Sequence, residues 1–204
     1  AHGTEQQRRE WLPRLVTMGD LGAYCLTEPG AGSDAAAITT SAVADGDDFV
    51  LTGVKQFISG AGEASVYIVM ARTGAPGAKG ITAFLVPAGA PGLSFGPIEL
   101  KMGWNAQPTR QVILDEVRVP ASAVLGGPDG LGGPGGLGGR FAIAMRGLDG
   151  GRVNIGACSI GGAQWALDRA VRYVHERFTF GEALAQRQSV VFALADMATE
   201  LQAA

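Results

Sequence analysis

Val66-Tyr67-Ile68-Val69-Met70-Ala71 and Ile81-Thr82-Ala83-Phe84-Leu85-Val86 are two runs of apolar and β-branched residues, and Gly74-Ala75-Pro76-Gly77-Ala78-Lys79-Gly80 lies between them. Such runs suit a pleated, buried surface, and a Gly/Pro cluster between them reverses the chain. Residues 42–44, 49–52 and 111–119 are of the same kind. They are punctuated by Asp45-Gly46-Asp47 and by residues 59–62 and 88–92. Closely spaced strands with turns between them predict an antiparallel β-sandwich or barrel, not alternating βαβ units. A nucleotide held here would therefore not sit on a Rossmann fold.

Outward from this centre the period changes. Residues 4–16 carry Trp11, Leu12, Leu15 and Val16 at helix-compatible spacing among charged neighbours, which predicts an amphipathic helix. From Phe141 onward Ile155, Ile160, Ala163, Leu167, Ala170, Val171 and Val174 mark one long helix. Val190, Val191, Leu194, Met197, Ala198 and Leu201 mark another. The fold class is α+β, with a middle β-domain followed by the start of a helical bundle. Two such helices leave apolar stripes that need missing helices, neighbouring subunits, or both.

Between Gly126 and Gly139 nine of fourteen residues are glycine, which reads as a flexible connector. It has no Gly-Lys-Ser/Thr and no buried strand aimed at it, so it does not read as a phosphate loop. The expected division is 1–20 for the end of a helical domain, 21–125 for the β-domain, 126–139 for the linker and 140–204 for the helical start.

The net charge of −3 gives no basic footprint, so nothing points to nucleic acid. The hydrophobic fraction of 47% fits a globular protein, and no apolar run reaches a membrane span. Cys25 and Cys158 are far apart, and with His2 and His175 they offer no metal-ligand spacing. Both thiols read as free and the compartment as reducing. The chain starts at Ala1 with no signal segment and reads as cut from something longer.

The segment carrying most chemistry is Tyr24-Cys25-Leu26-Thr27-Glu28-Pro29-Gly30-Ala31-Gly32-Ser33-Asp34. Pro29 drives Glu28 toward an extended conformation, and Gly30 and Gly32 remove side chains that would keep a ligand from the peptide groups. Ser33 and Asp34 add oxygens at a turn whose N–H groups could form an anion nest. An ordinary connecting loop has the same composition, and these residues alone do not separate the two.

The whole segment resembles the flavin loop of the acyl-CoA dehydrogenases. The resemblance continues in order through Lys55-Gln56-Phe57-Ile58-Ser59-Gly60-Ala61-Gly62-Glu63, residues 101–110 (KMGWNAQPTR), Arg146-Gly147-Leu148-Asp149-Gly150-Gly151-Arg152 and Glu176-Arg177-Phe178-Thr179-Phe180-Gly181. The resemblance implies a fragment lacking most of an amino-terminal helical domain and the later carboxy-terminal helices. It implies FAD as cofactor, an acyl-CoA substrate, an electron-transferring flavoprotein as partner and a homotetramer. The bacterial cytoplasm or the mitochondrial matrix would be the compartment.

By the same resemblance Tyr24, Leu26, Thr27, Gly32 and Ser33 contact the cofactor. So do Phe57, Ile58 and Ser59, with Ser59 beside the hydride-accepting nitrogen and Phe57 as an aromatic wall. Arg177, Thr179, Phe180 and Gln188 match the segment that reaches the FAD of a neighbouring subunit. Ser33, Asp149 and Arg152 match contacts to coenzyme A, although a charged helix start would equally explain Asp149. Phe57-Ile58-Ser59, taken alone, is a strand end entering a turn.

No catalytic base is assigned. In most of the family it is a later glutamate, expected beyond residue 204, and a minority place it at the position of Gly151, which cannot take a proton. The wording is most similar to the branch that oxidises isobutyryl-CoA to methacrylyl-CoA in valine breakdown. Other short-chain dehydrogenases, oxygen-using relatives such as acyl-CoA or nitroalkane oxidases, and a non-catalytic flavin- or CoA-binding subunit remain alternatives.

Overall fold

The computed structural model describes residues 2–127 and 141–204. The chain forms two compact units that divide after Met145. Most of the glycine-rich segment 126–139 lies outside the described residues.

The first unit is one seven-stranded sheet. Its strands are β1 (Gly22–Cys25), β2 (Ser41–Asp45), β3 (Asp48–Ser59), β4 (Val66–Arg72), β5 (Ile81–Pro87), β6 (Leu93–Phe95) and β7 (Thr109–Pro120). Their spatial order is β1-β4-β2-β3-β7-β6, and β5 pairs with β4. The sheet is mixed. The antiparallel expectation holds for β2–β3, β3–β7, β4–β5 and β6–β7, whereas β1 runs parallel to β4 from Gly22–Val66 to Cys25–Val69. β4 also meets β2 at one bridge, Ser41–Arg72. Thus β4 carries β5 along its whole length while β1 and then β2 meet it in succession.

The apolar runs that marked β4 and β5 are buried at nearly every position, which explains their continuous rather than alternating pattern. Leu51, Tyr67, Val69, Phe84, Val86, Val112 and Val117 have no exposed surface. Burying each large apolar side chain contributes about 1.5–3 kcal/mol. Phe49 meets Phe84 edge-on at 5.1 Å between ring centroids.

β3 is far longer than residues 49–52, and two irregularities explain why. Its register on β7 shifts between Leu51 and Gly53 and again between Lys55 and Ile58. At the first, the extra residue lies on β7, where Glu116 has φ 53°; at the second it lies on β3, where Phe57 has φ 57°. Each such bulge flips the inward–outward alternation that a strand would otherwise keep.

α1 (Glu5–Val16) starts at a Thr4 capping box: Gln7 N–H donates to Thr4 Oγ1, and Thr4 N–H donates to Gln7 Oε1. The Gln7 amide is buried, donates to the Ser122 and Val124 carbonyls, and accepts from Gly126 N–H. Polar ties seat this helix more than its apolar stripe does, since Leu12 and Val16 are exposed.

The second unit continues α2 (Phe141–Glu176), then has a hairpin of β8 (Phe178–Thr179) and β9 (Glu182–Ala183), then α3 (Gln188–Ala203). The expectation of uncovered apolar stripes is met within it. Val153, Ile155, Trp165 and Tyr173 on α2 and Phe192 and Met197 on α3 are exposed. Among the described residues no helix is long and apolar enough to cross a membrane.

Candidate functional site

The loop after β1 is organised by a carboxylate beneath it. Glu28 N–H donates to Ala31 O and Ala31 N–H to Glu28 O, closing a tight turn over Pro29 and Gly30. The buried Glu28 carboxylate accepts from Thr39 N–H at 2.6 Å, Thr39 Oγ1 at 2.9 Å, Thr40 N–H at 3.0 Å and Lys55 Nζ at 2.8 Å. Burial alone would raise its pKa, but the Lys55 hydrogen bond and the Thr39 and Thr40 donors outweigh burial and hold it at about 2. Burial pulls Lys55 below the usual lysine range, and Glu28 opposes that pull. Lys55 has no exposed surface and also donates to the Leu26 carbonyl at 3.2 Å.

This pair brings two predicted segments together. Lys55 lies on β3, its neighbour Gln56 donates its N–H to the Thr27 carbonyl at 2.8 Å, and β3 then ends in Phe57, Ile58 and Ser59. The bulge at Phe57 buries Ile58 and exposes both Phe57, at 62%, and Ser59. These three residues are therefore the end of the strand, entering the turn at residues 60–63, as their sequence alone describes.

The loop surface is open to a ligand. A Cβ added at Gly30 or Gly32 would meet nothing within 4 Å. Among the described residues the N–H groups of Thr27, Gly30, Gly32 and Ser33 have no hydrogen-bond partner. Leu26 is buried, whereas Gly32 and Ser33 are exposed. Unpartnered donors beside an exposed aromatic side chain and a hydroxyl fit an anionic, planar ligand.

Tyr24 ties the start of the loop to the helix that follows the linker. Its hydroxyl donates to the Ala144 carbonyl at 3.1 Å, and burial, with Cys25 adding to it, pushes its pKa up to about 12. Burial also pushes the Cys25 thiol up to about 12 against the pull of Lys55, which leaves it a neutral core thiol.

Asp149 and Arg152 are not at a helix start, because α2 begins at Phe141. They form an exposed pair at 3.1 Å within the helix, so capping does not explain Asp149. At the β8–β9 hairpin Phe180 and Gly181 both have positive φ, at 53° and 85°, as a tight two-residue turn requires. Phe180 is 98% exposed. Arg187 braces this tip by donating to Thr179 O at 3.1 Å and lying 5.6 Å from the Phe180 ring. The Arg177 guanidinium has no partner among the described residues, and Gln188 opens α3 on the surface.

A separate cleft of about 550 Å³ lies beyond Ser59, lined by Leu21, Gly60, Glu63, Glu99, Lys101 and Gln107 among others. Lys101 fixes its outer loop by donating to Trp104 O, Gln107 O and Thr109 Oγ1. The sequence reading missed Thr39, Thr40 and the structural work of Lys55. No local signal marked them, since a lysine in a strand normally reads as solvent-facing. Among the described residues no cluster could hold a metal ion.

Comparison with known proteins fits this architecture. Residues 23–117 match the acyl-CoA dehydrogenase middle domain, and residues 139–204 match the acyl-CoA dehydrogenase carboxy-terminal domain. The chain is 51% identical to a mitochondrial isobutyryl-CoA dehydrogenase of Dictyostelium discoideum over 99% of its length and 47% of the relative's. It is 44% identical to the mitochondrial short-chain specific acyl-CoA dehydrogenase of Bos taurus, again over 99% of this chain and 47% of that one. Butyryl-CoA dehydrogenase from Megasphaera elsdenii superposes with a TM-score of 0.91 at 41% identity, covering 99% of this chain and 51% of that one. A glutaryl-CoA dehydrogenase from Mycobacterium smegmatis, solved in complex with FADH2, gives 0.83 at 34% identity over 98% and 48%.

A mixed, curled sheet with a glycine-opened loop, followed by long helices, defines a flavoprotein-dehydrogenase type of fold. The chain belongs to the acyl-CoA dehydrogenase family. It spans about half the length of the curated relatives that it matches.

Proposed function

We propose that these residues form the flavin-holding half of an FAD-dependent dehydrogenase that oxidises a short branched-chain acyl-CoA, isobutyryl-CoA, to methacrylyl-CoA. The observation that carries this reading is the joint between β3 and the loop: Gln56 N–H to Thr27 O, and Lys55 to Leu26 O and Glu28. It brings the open donors of residues 27–33 beside Phe57 and Ser59. FAD, when bound, supplies the acceptor for the β-hydrogen. The Thr27 to Ser33 donors and the Thr27 hydroxyl hold its polar end, and Phe57 shields its ring from water. Ser33, Asp149 and Arg152 hold the coenzyme A arm. Arg177, Thr179, Phe180 and Gln188 reach the FAD of a neighbouring subunit, where a guanidinium pairs with the pyrophosphate.

Glu28 is not available as the base for the α-proton, since its carboxylate already accepts from four donors. Electrons pass to an electron-transferring flavoprotein, the assembly is a homotetramer, and the compartment is the mitochondrial matrix or the bacterial cytoplasm. Identity to both the isobutyryl and the short-chain relatives keeps a straight short-chain substrate as the second reading. Catalytic efficiency on isobutyryl-, butyryl-, 2-methylbutyryl- and octanoyl-CoA decides between them, because one methylene is worth about 1–3 kcal/mol in such a pocket. Preference for octanoyl-CoA, or rapid turnover on oxygen alone, would overturn the branched-chain assignment.

A further inference from the structure

A buried ion pair is weak support for stability, because apolar residues of similar size often do as well or better. The Lys55–Glu28 pair therefore calls for another account, and its orientation supplies one. The carboxylate faces Thr39 and Thr40, away from the loop. The ammonium faces the loop, 3.2 Å from the Leu26 carbonyl. That carbonyl belongs to the same peptide as the Thr27 N–H, which has no partner among the described residues. The next peptide is fixed in turn by Gln56 N–H on Thr27 O.

We propose that Lys55 is a positioning residue that polarises the Leu26–Thr27 peptide and aims the Thr27 N–H at bound FAD. A cation on the oxygen end of a peptide strengthens the donor at its nitrogen end, and linked hydrogen bonds reinforce one another by about 10–30% each. The positive pole of the pair thus sits on the side of the loop that must accommodate negative charge. Glu28 anchors Lys55 and keeps the loop turn closed. The assignment rests on the reading that this loop holds FAD.

The test compares the wild-type protein with the double variant Glu28→Gln/Lys55→Met, which removes both charges at similar volume. A purely structural pair predicts that the double variant recovers both thermal stability and FAD affinity. A polarising Lys55 predicts recovered melting temperature, FAD affinity weakened at least tenfold by fluorescence titration, and a bound-flavin reduction potential shifted more negative. Wild-type affinity and potential in the folded double variant would overturn the proposal.

A measurement on the wild type guards against a variant that fails to fold. With 15N-threonine labelling, the Thr27 amide proton should move downfield when FAD is added. An unmoved Thr27 amide in an FAD-saturated protein overturns the inference while leaving the cofactor assignment standing. A wild-type protein that binds no FAD overturns both.

Discussion

Replacing Gly53 by alanine places a methyl group where Thr40 already stands. The new Cβ would lie 2.5 Å from Thr40 Oγ1, 2.7 Å from its Cα and 2.8 Å from its Cβ. Favourable carbon contacts lie at about 3.5–4.0 Å, so β3 and the backbone at Thr40 must part by roughly 0.8 Å. No rotamer change relieves this, because one of the clashing atoms is backbone. The motion carries Thr40 N–H off the Glu28 carboxylate, now 3.0 Å away. Overpacking costs about 1–3 kcal/mol, and loss of a hydrogen bond to a charged group about 1.5–3 kcal/mol.

The two together come to about 2.5–6 kcal/mol, which for a chain of this size lowers Tm by roughly 5–24 °C. Thermal melting followed by circular dichroism measures it. Gly32→Ala is the control, since its Cβ meets nothing within 4 Å. A Gly53→Ala protein melting within about 2 °C of wild type, a shift of at most 1 kcal/mol at this size, would refute the idea that Thr40 is held against β3.

Acid should weaken the protein through Glu28. Its folded pKa of about 2 lies below the ordinary 4.5, so the stability it contributes is complete above pH 4.5 and is lost as pH falls toward 2. Urea midpoints from pH 6 to pH 2 should show that loss, and Glu28→Gln should flatten this component; identical pH curves would refute it. Gly30→Val should leave the melting temperature within a few degrees, because a side chain there enters open space, yet should empty the flavin site. A variant purifying fully yellow would contradict this. Arg177→Ala should weaken flavin retention in the oligomer, and a stable, flavin-replete monomer of the full-length protein would argue against a role across subunits.

How much was legible follows from which residues carry a local signal. β4 and β5 were readable because burial on both faces demands uninterrupted apolar runs, and the composition shows them. β1 was not readable. It is four residues long and gains its place from parallel pairing with β4, some forty residues away, which no local pattern encodes. β6, only Leu93–Phe95, fails for the same reason. β3 was cut short at Thr52 because Gly53 and the buried, charged Lys55 interrupt its apolar face and the bulge at Phe57 then breaks the alternation. The onset of α2 at Phe141 was legible from the change of period there, whereas Asp149 was open to reading as a helix-start charge although it lies inside the helix, paired with Arg152.

The candidate site shows the same division between local and long-range information. Gly30, Gly32 and Ser33 announce an open loop from their own chemistry. Lys55 announces nothing, because a lysine in a strand normally reads as solvent-facing. Only its place in the alternation of β3, on the face of the buried Phe49 and Leu51, turns it inward. Yet Lys55 fixes Leu26 and Glu28, Gln56 fixes Thr27, and the bulge at Phe57 then turns Phe57 and Ser59 outward. Five consecutive residues of one strand therefore set both walls of the proposed flavin site. A further extra residue in β3 between Lys55 and Phe57 would leave the loop composition untouched but exchange Phe57 and Ser59 for Ile58 at the surface. The site depends on the spacing between Lys55 and Phe57 as much as on the residues themselves.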